Sequence, residues 1–281
     1  MYTRRPVAAL LVTAALLAGG SVAIAQLPMN SRPRSGASVT PVFEGWYTNP
    51  DGTLMLSFGY FNRNTEETLE IPLGEDNRFG GGELDRGQPT VFLPGRQWGV
   101  FGFRVAPDMG DGKVYWTLNT RGVSHSVPGH LDRGYYLDAL VGEAGTGNTP
   151  PVLRFAPDGP PSQGPGGDFG PSLAARVGAP VSLSIQANDD WRFEPYWHRG
   201  RDPERLALTW QKYRGPGSIF FDSATVEIAR GSDGVATTAA TFDEPGEYVV
   251  RVLANDVSGT YPAGAAQCCW TNAYVRVTVS P

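Results

Sequence analysis

Two stretches of the chain concentrate side chains capable of chemistry. Residues 188–204 (NDDWRFEPYWHRGRDPE) hold Asp189, Asp190, Trp191, Tyr196, Trp197 and His198 among charges of both signs. Residues 256–270 (DVSGTYPAGAAQCCW) begin at Asp256 and end at Cys268, Cys269 and Trp270. Three chemistries are open to them. Aromatic side chains on loops supply contact area at little entropic cost, and arginines add hydrogen bonds. Trp191, Tyr196, Trp197, His198 and Trp270 therefore suit a carbohydrate or protein partner. The same rings serve equally to fold back and close one end of a β-domain. Asp189, Asp190 and Asp256 are hard oxygen ligands of the kind calcium takes. No EF-hand spacing accompanies them, and Asp at such positions also caps turns. His198 with Cys268 and Cys269 is a thinner signal for a soft metal such as copper. No other cofactor is implied.

The cysteine pair poses a geometric question. Adjacent Cα atoms lie ~3.8 Å apart, closer than the ~4.4–6.8 Å usual across a disulfide. The chain has two cysteines, and an oxidising compartment favours bonding them. A strained vicinal disulfide fixing the 256–270 loop and a pair of free thiols buried beside Trp270 both remain open.

Recognisable catalytic signatures are missing. There is no GxSxG elbow, HExxH helix, CxxC pair, phosphate loop or dinucleotide fingerprint. The run Gly80-Gly81-Gly82 leads to Glu83 and Asp85 rather than into a helix, and reads as a turn. His125 and His130 are separated by Pro128 and Gly129, with no carboxylate pattern to complete a ligand set. Glu44, Glu67 and Glu70 contain the makings of a glycosidase carboxylate pair, but acids on the strands of a small β-domain are usually solvated.

The elements that must position these residues are strands. Short alternating runs recur every ~8–12 residues between Gly, Pro and Asn, the pattern of a sandwich or barrel. They include 42–48 and 53–63 around an Asn-Pro-Asp-Gly turn, then 67–73, 90–94, 98–106, 113–120, 123–128 and 135–140. A second set covers 181–187, 205–213, 218–222, 225–229, 235–242, 247–256 and 273–281. No stretch after residue 25 shows helical apolar spacing. The expected fold is therefore all-β, with two β-sandwich domains in tandem.

Residues 1–25, with Arg4-Arg5, an apolar run from Val7 to Ala18 and an Ala23-Ile24-Ala25 exit, read as a cleaved signal peptide. The run is too short to span a membrane, which needs ~20 residues, so no transmembrane segment is expected in the mature chain. Residues 26–41 read as a flexible leader, 42–141 as the first domain, 142–177 as a Gly/Pro-rich linker and 178–281 as the second domain. Loss of Arg4 and Arg5 with the signal peptide takes the net charge from −5 to about −7, which argues against a nucleic-acid partner.

The second domain resembles the polycystic-kidney-disease-type (PKD-like) branch of immunoglobulin-like domains. Leu208-Thr209-Trp210 followed by Gly215-Pro216-Gly217 carries one signature. Thr241-Phe242-x-x-Pro245-Gly246-x-Tyr248, leading into Val250-x-Val252-x-Ala254-Asn255-Asp256, carries the other. The resemblance spans about 178–281 and leaves the first domain unassigned. In strand order B, C, F, G, the 188–204 and 256–270 loops would leave one pole together, with Trp210 and Tyr248 in the core. PKD-like domains usually act as extracellular spacers, adhesion modules or accessory binding domains. The resemblance therefore implies an exported (periplasmic, secreted or surface-associated), non-catalytic binding or structural protein. The alternative is a secreted hydrolase or accessory carbohydrate-active protein with its site in the first domain.

Overall fold

Alternation along the chain becomes a succession of antiparallel strands in the computed structural model, which describes residues 31–80, 82–109, 112–137, 147–192, 205–232, 234–256 and 269–281. Residues 1–25, read from the sequence as a signal peptide, lie outside the described residues. Strands β1 (Val39–Thr48), β2 (Leu54–Asn62) and β6 (Gly95–Val105) form one sheet of the first half. The β1–β2 hairpin closes as its Asp-Gly turn requires, with Gly52 at φ 84° and its N–H donating to Asn49 O at 2.9 Å. Strands β4 (Asn77–Gly80), β7 (Val114–Thr120) and β8 (Val123–Gly129) form a second sheet. The short pair β3 (Leu69–Glu70) and β5 (Val91–Phe92) lies beside them. Between these layers Phe58, Phe79, Phe92, Phe101 and Trp116 are buried in one aromatic cluster. Full burial of each such ring contributes roughly 1.5–3 kcal/mol, alongside the aliphatic side chains Val39, Leu56, Ile71, Val100, Val114 and Leu118 buried in the same core.

The second half is an immunoglobulin-like sandwich. One sheet pairs β13 (Val181–Asn188) with β17 (Val235–Phe242), and β15 (Ile219–Phe221) extends it. The other runs β19 (Trp270–Ser280), β18 (Gly246–Asn255), β14 (Arg205–Arg214), β16 (Thr225–Ala229). The chain thus alternates between layers in Greek-key fashion. Trp210 is 2% exposed and fills the gap between the sheets. Tyr248 makes a tyrosine corner: its hydroxyl donates to Glu244 O at 2.8 Å and accepts from Gly217 N at 3.0 Å. A Cβ on Gly215 would stand 2.2 Å from the Tyr248 ring, so the glycine after β14 is required by that corner.

Two segments expected to lack structure have it. Residues 33–41, read from sequence as a flexible leader, are tied down from Pro33. Pro33 O and Arg34 O accept from Thr65 N and Glu66 N, and Ala37 N donates to Asn64 Oδ1 at 2.7 Å. Val39–Pro41 then open β1. The Gly/Pro-rich connection supplies β9 (Val152–Arg154), β10 (Ser162–Gln163), β11 (Asp168–Phe169) and β12 (Leu173–Arg176). β9 pairs with β13, and β12 runs parallel to the end of β19. The VLRF run (152–155) thus extends the second half rather than the first. These strands are too short to show a period, which hid them. Of the expected strand 135–140, Tyr136 bridges to Trp46 after a 3-10 turn at Arg133–Tyr135, and 138–140 lie outside the described residues.

Residues 33–281 form one compact unit with two cores. The outer face of the β14–β18–β19 sheet carries Tyr213, Val249, Arg251, Asn272 and Tyr274, and the first half packs onto it. Tyr213 and Tyr274 belong to the first half's aromatic cluster. Asn272 is fully buried. Its Nδ2 donates to Gly99 O at 2.7 Å and Pro165 O at 2.5 Å, while Oδ1 accepts from Arg251 Nε at 2.9 Å and Nη2 at 2.7 Å. Tyr274 donates to Val100 O at 2.7 Å. At the rim, Arg214 grips Asp85 through two bonds of 2.9 and 2.7 Å, and Lys212 meets Glu70 at 2.7 Å.

Removing the Asn272 side chain takes from the buried Arg251 its main acceptor and from the carbonyls of Gly99 and Pro165 a donor. Asn272→Ala is therefore expected to lower stability by about 3–5 kcal/mol in urea denaturation. Asp85 gives a milder, pH-dependent effect. Its hydrogen bonds to Arg214 hold its carboxyl below the usual value. A depressed folded pKa contributes stability above the unfolded value of about 3.9, lost as pH falls through the folded one. The pair is half-exposed, so Asp85→Asn should cost less than about 1 kcal/mol at pH 7, and the gap from wild type should close progressively below about pH 4.

Candidate functional site

The bases of the two loops meet where β13 and β18 leave their sheets. Asp189 follows β13 and is 6% exposed; Asp256 follows β18 and is 3% exposed. Asp189 Oδ2 accepts from Trp191 N at 2.9 Å, a tight turn that puts Trp191 at φ 56°. Its other oxygen, Oδ1, is buried and accepts no hydrogen bond among the described residues. Burial first, and then the negative charge of Asp256, push the Asp189 carboxyl up to about 7. Asp256 N donates to Cys269 O at 3.2 Å, and Asp256 Oδ2 accepts from Asn148 Nδ2 at 3.0 Å. Asn148 is 1% exposed and comes from the connection, not from either loop. Asp190 is engaged by the same segment: Oδ2 accepts from Thr149 N and Oγ1 at 3.0 and 2.9 Å, and Oδ1 from Arg192 N at 2.8 Å.

The residues singled out in the sequence thus separate into groups. Asp189, Asp190 and Asp256 do gather, but Asp190 spends both oxygens on the connection and its own turn. Among the described residues no three of His, Cys, Asp and Glu are grouped to hold a metal ion. Trp191 is partly buried and packs against the core of the second sandwich, which is the covering role. Trp270, expected at an exposed tip, is 6% exposed. It faces the first half, and its Nε1 donates to Gly99 O at 3.2 Å. A Cβ at Gly99 would stand 2.5 Å from the Trp270 ring, so glycine there admits the indole. Trp270 opens β19, and the sheet carries it into the interface rather than to solvent. Tyr196, Trp197, His198 and Cys268 lie outside the described residues. Asn148 and Thr149 were missed, because nothing in a Gly/Pro-rich run marks them as partners of residues 108 and 41 positions away.

Cys269 is fully buried and disulfide-bonded. A disulfide sulfur is not the thiolate that copper binding with His198 would need.

The first half assembles no acid–base pair from its marked residues. Glu44 is held by Arg96 through two bonds of 2.7 Å. Glu67 pairs with Arg121 at 2.5 Å, and Glu70 with Lys212. His125 Nε2 lies 3.3 Å from Ser38 Oγ, and the His130 ring packs against Phe43 and Tyr135. A shallow cleft of about 310 Å³ lies between the halves beside the Glu70–Lys212 pair, walled by Val91, Leu93, Trp210 and Ile219. Its polar lining is Thr68, Glu70, Gln211, Lys212 and Ser218, with Lys212 and Glu70 bonded to each other.

No family model and no curated protein matches the chain. Solved structures do. The D00–D0 domain of intimin matches at 12% identity and TM-score 0.26, covering 86% of this chain and 100% of that one. Domains 4 and 5 of the S-layer protein SbsC match at 13% and 0.22, covering 87% and 98%. The titin Ig tandem A164–A165 matches at 11% and 0.22, covering 87% and 99%. At these values the likenesses bear on neither ligand nor activity, and the fold stands on the strand order above.

Oxidation of Cys269 has a direct check. Without reductant, the denatured protein should take up no alkylating agent by intact mass; after reduction it should take up two, one for each cysteine of the chain. Two alkylations without reductant would mean free thiols.

Proposed function

We propose that this chain is an exported, non-catalytic structural or adhesion-type protein, with a PKD-like second sandwich and a recognition loop at 188–204. One observation carries the reading. The sheet face of the second sandwich is consumed by the first half through Asn272, Arg251 and Tyr274, which makes a stiff two-sandwich body rather than a hinged pair around a catalytic cleft. In such a body the loop ends are the surfaces left for a partner. Tyr196, Trp197 and His198 are the residues proposed to meet it, with a carbohydrate or protein as the partner class; Trp270 is excluded by its burial. The hydrolase alternative draws no support from Glu44, Glu67 or Glu70, since each is spent on a basic side chain.

Protein-coated beads presented to immobilised glycans and to surface-protein extracts test the adhesive role. Retention on at least one surface is expected, with a loss of about tenfold or more in a Tyr196→Ala, Trp197→Ala variant. Retention unaffected by the double substitution would remove the loop, and turnover of glycosidic or peptide substrates would overturn the non-catalytic reading.

A further inference from the structure

A strand at the edge of a sheet leaves half of its backbone groups unpaired, and natural sheets blunt such edges with charge, proline or a covering segment. β15 closes one end of its sheet in the second sandwich, and among the described residues it pairs with β17 alone. Its register fixes which groups stay open. Asp222 N donates to Ala239 O at 3.0 Å and Asp243 N to Ser218 O at 3.3 Å, so residues 218, 220 and 222 turn their hydrogen bonds toward β17. In an antiparallel ladder the residues between them face the other way. The N–H and C=O of Ile219 and of Phe221 therefore point out of the sheet edge, beside the open cleft that both residues line.

The usual protections are missing at this edge. β16, at the edge of the opposite sheet, carries Glu227 in an ion pair with Arg205. β1, at an edge in the first half, is partly covered, since Leu137 N donates to Trp46 O at 2.8 Å. β15 is Ile-Phe-Phe, with neither charge nor proline. Its central side chain, Phe220, is 63% exposed, more than any other large hydrophobic residue described. A bare phenyl ring on an unprotected edge marks an interaction surface.

We propose that β15 pairs antiparallel with β15 of a second copy of this chain, about a two-fold axis at Phe220. Ile219 of one copy then faces Phe221 of the other, and both such pairs exchange their N–H···O bonds. Phe220 meets Phe220 at the non-hydrogen-bonded position between them, where side chains approach most closely and an aromatic pair is favourable. Charge selects this register. Asp222 falls opposite Ser218, a hydroxyl donor, rather than opposite itself, whereas centring the pair on Phe221 would set Asp222 against Phe220. The contact uses the same patch on both copies, so it closes at a dimer and joins the two sheets into one. It does not depend on whether the 188–204 loop binds a partner.

Sedimentation equilibrium of the mature chain between about 1 and 300 µM should show a reversible monomer–dimer equilibrium, weak for so small a contact, with Kd on the order of 10⁻⁵ M. Phe220→Lys sets like charges directly opposite each other and should weaken dimerisation by about tenfold or more. In dilute solution it should melt within about 2 °C of the wild type, because the ring it replaces is exposed. Cysteine trapping reads the register. Under oxidised glutathione, Phe220→Cys should give a disulfide-linked dimer, since Cα atoms of such a pair lie ~4.5 Å apart, within the ~4.4–6.8 Å that a disulfide spans. Leu84→Cys, similarly exposed on the first half, should not. A wild type that stays monomeric throughout, a dimer unweakened by Phe220→Lys, or trapping no better at 220 than at 84 would each overturn the proposal.

Discussion

A guanidinium buried without a carboxylate constrains everything around it. Arg251 is 3% exposed, and its described partners are neutral: Asn272 Oδ1 and, at 3.3 Å, Gln211 Oε1. Neutral acceptors can satisfy such a group only if each is held with its oxygen facing the charge. Asn272 meets that condition because its other end donates to carbonyls of the first half. The amide works as a two-sided connector whose orientation neither half alone would set. Such a polar lattice contributes more to specificity than to net free energy, since water would serve the same groups if the halves parted. Cohesion comes from the apolar surface around it, where Tyr213, Val249 and Tyr274 finish the aromatic cluster of the first half.

The same economy governs the connection between the halves. Residues 147–176 lack the apolar side chains to form a core, yet their backbone groups complete both sheets of the second sandwich as edge strands. Glycine permits the close approach this needs: Gly166 N donates to Tyr47 Oη at 2.9 Å, and Gly164 N to Thr271 Oγ1 at 3.0 Å. The connection therefore touches both halves along its length. Its first residues, Asn148 and Thr149, close over the acidic bases of the loops.

How much of this could be read from the sequence depended on what each residue faces. Strand alternation marked β1, β2, β6, β7, β8 and strands β13 to β19 of the second sandwich but not its short strands β9 to β12, and Trp210 and Tyr248 sit where a core aromatic and a corner tyrosine should. Arg251 and Asn272 alternate with buried valine and alanine just as solvent-facing residues do. A periodic pattern distinguishes inside from outside, and does not distinguish water from a second domain. Trp270 was misjudged for a related reason: the loop before it ran without period, so the first residue of β19 was read as the last of the loop. The acid cluster was legible in type but not in membership, since Asn148 and Thr149 join it through contacts of 41 and 108 residues' separation.

β12 lies parallel to the last turns of β19, from Leu173 opposite Val277 to Arg176 opposite Ser280, while β18 flanks β19 antiparallel on its other side. A tensile load drawing β19 out along its own axis would meet both ladders at once, in shear. Bonds loaded side by side must break together, whereas bonds peeled from one end break singly. β19 is accordingly held in shear on both sides, a property that folding stability in a test tube does not measure.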